Sequence, residues 1–96
     1  MTQRQRVQWE DRVAAGPGGA MTDEVGVITG PVTVRTTVAA GGLVRIEIQY
    51  TDAEEWYTLT GSPVPHHGRP ADVHAAALAA VRAGRAAQVP RTPPPG

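Results

Sequence analysis

Three histidines, a single serine, a run of carboxylates and two arginines near a tryptophan are the side chains of this chain that carry chemistry. Two ligands on one helix face normally stand at i and i+4. His67 and His74 are seven residues apart, and the neighbours His66 and His67 diverge from a shared loop. The chain has no cysteine to add a thiolate. The expectation is therefore no metal site and no cofactor. Ser62 precedes Pro63, which is not the strand-turn-helix setting of an activated nucleophile. No glycine-rich loop has the spacing that cradles phosphate. Asp52, Glu54 and Glu55 fall at a hairpin tip, where water denies a carboxylic acid the raised pKa that general acid catalysis needs. No catalytic residue is assigned.

Two weaker constellations remain. His67, Gly68 and Arg69 come just before a helix, whose unpaired N–H groups attract anions, although Asp72 in the first turn opposes this. Arg35, Arg45 and Trp56 fall on the wet face of a predicted sheet. There a flat indole and two guanidinium groups can grip a protein partner or stack on bases.

The elements that position these groups follow from the hydrophobic pattern. Val32, Val34 and Val38 alternate with Thr33, Arg35 and Thr37, while Val44, Ile46, Ile48 and Tyr50 alternate with Arg45, Glu47 and Gln49. Such alternation marks strands with one dry face and one wet face. The two dry faces coincide when Ala40-Gly41-Gly42 is the loop, so Val38 faces Val44, Val34 faces Ile48 and Arg35 faces Glu47. A four-residue turn, Asp52-Ala53-Glu54-Glu55, then sets Tyr50 against Tyr57 and Ile48 against Leu59, and places Trp56 outside with Thr58 and Thr60. Val25–Thr29 reads as a further short strand before Gly30-Pro31.

A helix is expected over Ala71–Ala83, with Pro70 at its first position, Asp72 in its first turn and Gly84 as its stop. Val73, Ala77, Leu78 and Val81, with His74 among them, form the stripe that covers the sheet. Ala75, Ala76, Ala79 and Ala83 occupy the opposite face, where charged residues are usual. Small side chains there admit a second helix.

Composition sets the outer limits. The 96 residues make one domain. Hydrophobic residues are 41%, but many are Ala and none is Phe, so the core is small and a staple or partner is needed. Disulfides are excluded by the lack of cysteine. All nine basic residues are Arg, which with abundant Ala, Gly, Pro and Val suggests a GC-rich bacterial genome. Zero net charge argues against a general polyanion binder. The charge is dipolar, since Arg45 stands among Glu47, Asp52, Glu54 and Glu55, while Arg69, Arg82, Arg85 and Arg91 meet only Asp72. No stretch is apolar enough to span a bilayer and no signal peptide is seen, so a cytoplasmic location is expected.

The expected organisation is a flexible arm over residues 1–22, one domain over 23–88 and a disordered Pro-rich tail over 89–96. In the arm, Trp9 and Val13 stand i, i+4 as for a weak helical turn, and Met21-Thr22 repeats the opening Met1-Thr2 as a second possible start. Pro90-Arg91-Thr92-Pro93 is read as plain tail. The fold class is α+β: an antiparallel meander of three to four strands with one C-terminal helix packed on one face. The leading functional expectation is a small non-enzymatic bacterial interaction or accessory protein, acting as a homodimer on an unidentified protein partner. The partner-binding residues would be Arg35, Arg45, Trp56, Ala75, Ala79 and Ala83. A nucleic-acid-binding regulator using the outer sheet face is the first alternative. A small-molecule or anion binder, or an enzyme, at the His67/Arg69 loop is the second.

Overall fold

β-branched residues at alternate positions from Pro31 to Tyr50 form the centre of the molecule. The computed structural model describes residues 7–65 and 68–90. Strand β4 (Pro31–Val38) and strand β5 (Leu43–Tyr50) pair antiparallel in the expected register, with Val34 opposite Ile48, Arg35 opposite Glu47 and Val38 opposite Val44. A short 3-10 turn, Ala40–Gly42, joins them, with positive φ at Gly41 and Gly42. Val32, Val34, Val44, Ile46 and Ile48 are fully buried, as is Thr36 on the same face. The other faces of both strands carry the expected polar residues.

The helix α1 (Pro70–Ala83) begins at its proline and ends at Gly84. It covers the dry face of the sheet, burying His74, Ala77 and Val81, with Val73 and Leu78 packed at the margin. The architecture is thus the expected α+β arrangement of an antiparallel sheet and one C-terminal helix.

The N-terminal residues depart from expectation. Gln8–Ala14, placed by pattern in a flexible arm, is a strand, β1, which pairs antiparallel with β4. The sheet path is therefore β1-β4-β5-β6, with the first strand added beside the fourth rather than beside its sequence neighbour. Val13 joins the core. The relevant period was two, not four: Val7, Trp9 and Val13 share parity, and Asp11 interrupts that series with a charge. Strand β2 (Ala20–Thr22) and strand β3 (Gly26–Ile28) form a separate two-stranded sheet, so the expected Val25–Thr29 strand belongs to a small hairpin and not to the meander.

Beyond β5 the expected faces hold but the register shifts by two. Strand β6 (Tyr57–Thr58) sets Tyr57 opposite Ile48 and Thr58 opposite Glu47, and Leu59 donates its N–H to Ile46. The shift keeps Leu59 in the core and Trp56 outside, but it leaves Tyr50 exposed rather than paired with Tyr57. The cause is a longer turn, together with long-range ties that fix the last strand from its other side. Asp23 donates its N–H to Thr58, and Thr60 donates its N–H to Met21. Ser62 Oγ accepts the N–H of Ile46 at 2.8 Å, and β7 (Val64–Pro65) then pairs with the start of β5.

The segment after the helix is woven into the fold. Arg85, Ala86 and Ala87 donate their N–H groups to Pro17, Gly18 and Gly19, and Val89 donates to Thr60. Val89 is buried, so the expected disordered tail does not begin there. The rest of the expected tail, residues 91–96, lies outside the described residues.

Candidate functional site

The wet face of the sheet is where sequence-expected binding residues converge. Odd-numbered positions of β4 and β5 and even-numbered positions of β1 share that face, because each strand alternates and the registers are fixed. Arg35 lies at its centre. One guanidinium nitrogen donates to Glu47 Oε1 at 3.0 Å, and the carbon of the same group lies 3.9 Å from the centroid of the Trp56 ring. Both charged side chains are about three-quarters covered, at 25% and 26% exposure. Arg35 Nε is buried without a hydrogen-bond partner, so packing against the indole rather than complete hydrogen bonding holds this side chain. Trp56 immediately precedes β6 and is half-buried.

Arg45 shares the face but stands opposite Thr37, away from the Arg35–Trp56 stack, and is exposed. A polar hollow of about 190 Å³ opens beside the stack, lined by Glu10, Asp11, Arg12, Thr33, Gln49 and Asp52. Across it Arg12 pairs with Asp52 at 3.3 Å, both well exposed. Thr33 and Thr51 share a hydrogen bond of 3.3 Å, and Gln49 donates to the Ala53 carbonyl. Arg12 and Arg35 are thus engaged with carboxylates, and the face carries mixed charge. Asp52, Glu54 and Glu55 stand at an exposed tip, as expected. Glu55 accepts the Tyr57 hydroxyl at 3.0 Å, which holds the phenol pKa above its ordinary value.

A second constellation lies on the other face, and sequence reasoning missed it. His74 is 4% exposed. Its Nδ1 is 2.7 Å from Thr36 Oγ1, and its Nε2 is 2.8 Å from Asp11 Oδ2. A hydroxyl, an imidazole and a carboxylate in line resemble a nucleophilic triad in connectivity alone. Nucleophilic attack needs the hydroxyl open to substrate and the carboxylate sheltered. Here the hydroxyl is fully buried and the Asp11 side chain is 56% exposed. The chain of bonds fastens α1 to β1 and β4. Nε2–H donates to the carboxylate, while the Thr36 hydroxyl either donates to a neutral Nδ1 or accepts from a protonated one. Both protonation states are therefore satisfied. Three elements distant in sequence create this cluster. The usable signals were a charge at Asp11 within a period-two series and a histidine within the apolar stripe of α1.

The remaining expected residues do not converge. Ala75, Ala79 and Ala83 are exposed on α1, on the side away from the sheet. Gly68 and Arg69 are exposed, and Arg69 lies 3.8 Å from Asp72, a weak surface pair that occupies the proposed anion-binding charge. His66 and His67 lie outside the described residues. Among the described residues no three potential ligands gather to hold a metal ion. Among the described residues no helix is long and apolar enough to cross a membrane. No family model matches the chain, and no curated protein or solved structure matches it either.

Proposed function

We propose that this chain is a non-enzymatic interaction module that works as a homodimer and receives a protein partner on the outer face of its sheet. The observation that supports this reading is the Arg35–Trp56 stack beside an open polar hollow. A half-buried indole held flat by a guanidinium offers a rigid apolar contact at little entropic cost, and Arg and Trp are enriched where interfaces concentrate their binding energy. Thr33, Gln49 and the Arg12–Asp52 pair rim the contact with hydrogen-bonding groups, as a polar interface rim requires.

The mixed charge favours protein over nucleic acid. Phosphate recognition draws its affinity from unpaired cations, and here Glu47 and Asp52 already engage Arg35 and Arg12. The test is affinity capture from the protein's own cells with the unaltered chain, Trp56→Ala and Arg35→Ala. A partner held by the unaltered chain and lost by both variants, with the fold intact by circular dichroism, supports the reading. Equal capture by all three removes the outer face from consideration, and sequence-specific binding of DNA or RNA by the pure protein at physiological salt replaces this reading with the nucleic-acid one.

A further inference from the structure

Strand β1 closes one side of the main sheet, and its backbone phase can be read from the hydrogen bonds at either end. Val38 donates its N–H to Val7 at 2.8 Å, and Ala15 donates its N–H to Gly30 at 2.9 Å. Antiparallel hydrogen-bonded pairs recur every second residue. Val7, Trp9, Asp11 and Val13 therefore direct their backbone groups toward β4. Glu10, Arg12 and Ala14 turn theirs to the side where, among the described residues, no further strand of the sheet follows. A seven-residue edge of this kind is a template for another strand.

We propose that the edge is occupied by β1 of a second copy, antiparallel about a two-fold axis at Asp11, so that two sheets become one. The argument is the sequence of the strand itself. A two-fold pairing that uses the outward-facing groups allows registers centred on Glu10, Asp11 or Arg12. Every such register sets one charged residue opposite its own counterpart, but centring on Glu10 or on Arg12 also shortens the overlap and sets no opposite charges across the joint. Centring on Asp11 pairs all seven residues, Gln8–Ala14, with their counterparts. It then places Glu10 opposite Arg12 of the other copy, twice, on the outer face. On the helix face it places Trp9 opposite Val13, also twice. Opposite charges and aromatic–β-branched pairs are among the cross-strand combinations that stabilise sheets. Among the described residues Glu10 forms no ion pair, and Arg12 forms an exposed one with Asp52, at 73% and 78% exposure.

The one like-charge encounter is Asp11 with its own counterpart. Each Asp11 carboxylate is already held by Nε2 of its own His74 at 2.8 Å, which draws it over its own sheet and away from the axis. An inward charge on an edge strand ordinarily discourages pairing. Here the carboxylate is engaged by the imidazole, which lessens that cost. The operation keeps both helices on the same side of the joined sheet and leaves Arg35 and Trp56 of each copy outside. This inference rests on the homodimer reading and supplies its interface.

Charge exchange tests it, with sedimentation velocity over a concentration series as the readout. The unaltered chain is expected at twice its 10.1 kDa mass. Glu10→Arg alone, and Arg12→Glu alone, each replace two attractive pairs with repulsive ones and raise the dissociation constant about tenfold or more. Mixing the two variants in equal amounts restores the dimer, because every facing pair is again of opposite charge. As the chain has no native cysteine, oxidised Asp11→Cys supplies an independent arm. Thiols facing across the axis are close enough to bridge, whereas Gln8→Cys places its two thiols at opposite ends of the joint and leaves the chains unlinked. A monomer at all concentrations overturns both the interface and the homodimer reading. A dimer insensitive to both charge changes and dissociated by Ala79→Glu overturns the interface alone, since the helices would then make the contact. Failure of the mixture to re-form a dimer overturns the proposed register.

Discussion

The central hairpin and the termini that brace it are ordered by different physics. In β4 and β5, residues 31–50, each side chain faces inward or outward by its place in a local alternation, and one loop length makes the two dry faces coincide. In residues 15–20 and 84–89 the ordering is made by backbone against backbone. Gly16 donates its N–H to Val81, Arg85 to Pro17 and Ala87 to Gly19. The chain approaches itself so closely here that a side chain on Gly84 would fall on the main chain of Gly16 and Pro17, and one on Gly16 on the main chain of Arg82 and Ala83 at the end of α1. The hairpin is specified by what its side chains are, and the brace by which positions have none.

The largest expected effect tests that contrast directly. Gly84 has φ of 80°, and a Cβ there would overlap the main chain at Gly16 and Pro17. Gly41 in the hairpin loop has φ of 76°, but a Cβ there meets nothing within 4 Å. Gly41, with ψ of 20°, is in the left-handed region and alanine there costs about 1 kcal/mol, whereas Gly84, with ψ of −142°, is in a region that glycine alone adopts readily, at about 2 kcal/mol. Only Gly84→Ala adds a clash with immovable backbone, for a total of about 4 kcal/mol. Urea denaturation is expected to show Gly84→Ala severely destabilised or unfolded and Gly41→Ala only slightly affected. Equal losses would mean that the brace yields and that its close approach is not structurally demanding.

A somewhat smaller loss is expected within the hairpin. Ile48 is fully buried beneath α1 and opposite both Val34 and Tyr57. Ile48→Ala should cost about 3 kcal/mol through lost burial and the cavity left behind. Hydrogen exchange separates the two regions more finely. Ile48→Ala should raise exchange in β4 and β5 by global unfolding alone, whereas truncation after Gly84 should first expose the amide of Met21, which donates to Ala87.

This difference explains what was legible in the sequence. The β4–β5 register, the helix boundaries and the outward placement of Trp56 follow from periodicity and end signals contained within about twenty residues. The Arg35–Glu47 pair was legible because both residues lie within that hairpin, and Trp56 stacks on Arg35 as a consequence of the same face assignment. Strand β1 was not legible. Its partner is β4, whose facing residues lie 17 to 29 positions onward, and the charge at Asp11 breaks its alternation until His74 of α1 is brought to meet it. By local pattern Gly16-Pro17-Gly18-Gly19 does no more than end a helix, yet the same run admits the segment that follows α1. The register of β6 failed for a related reason, because its other edge is set by Asp23 and Thr60 contacts that no local pattern encodes.

The Thr36–His74–Asp11 cluster ties the hairpin to α1 and β1, and its loss should be intermediate in size. His74→Leu removes a ring that satisfies a fully buried hydroxyl and a strand-edge carboxylate, for about 2 kcal/mol. His74→Gln retains a polar group of shorter reach and should cost about half as much. Asp11→Asn keeps an acceptor for Nε2–H and should cost less still, because that end of the cluster is largely exposed. If Asp11→Asn proves the most damaging of the three, the tie acts mainly by charge rather than by satisfying Thr36. Imidazole proton chemical shifts followed by NMR would identify which ring nitrogen carries the proton.

The smallest effect lies at the far edge of the sheet, where the β2–β3 hairpin is tied to β6 through a surface carboxylate. Glu24 accepts the Thr58 hydroxyl and the Thr58 N–H, each at 2.7 Å. The hydroxyl bond first and the backbone bond second hold the Glu24 pKa below its ordinary value. A carboxylate whose folded pKa is depressed contributes stability that is fully present above its unfolded pKa and is lost as pH falls through the folded value. The difference in stability between the unaltered protein and Glu24→Gln should therefore be constant near neutral pH. It should narrow below the ordinary glutamate range, and it should nearly vanish once the folded carboxyl is protonated. Salt should reduce the difference little, because the contribution is two hydrogen bonds and not an ion pair. Denaturant midpoints measured for both proteins across the acid range provide the test. A difference that widens toward low pH would show that Glu24 is held by its neutral form, and the edge would then be closed by packing of β2–β3 instead of by this carboxylate.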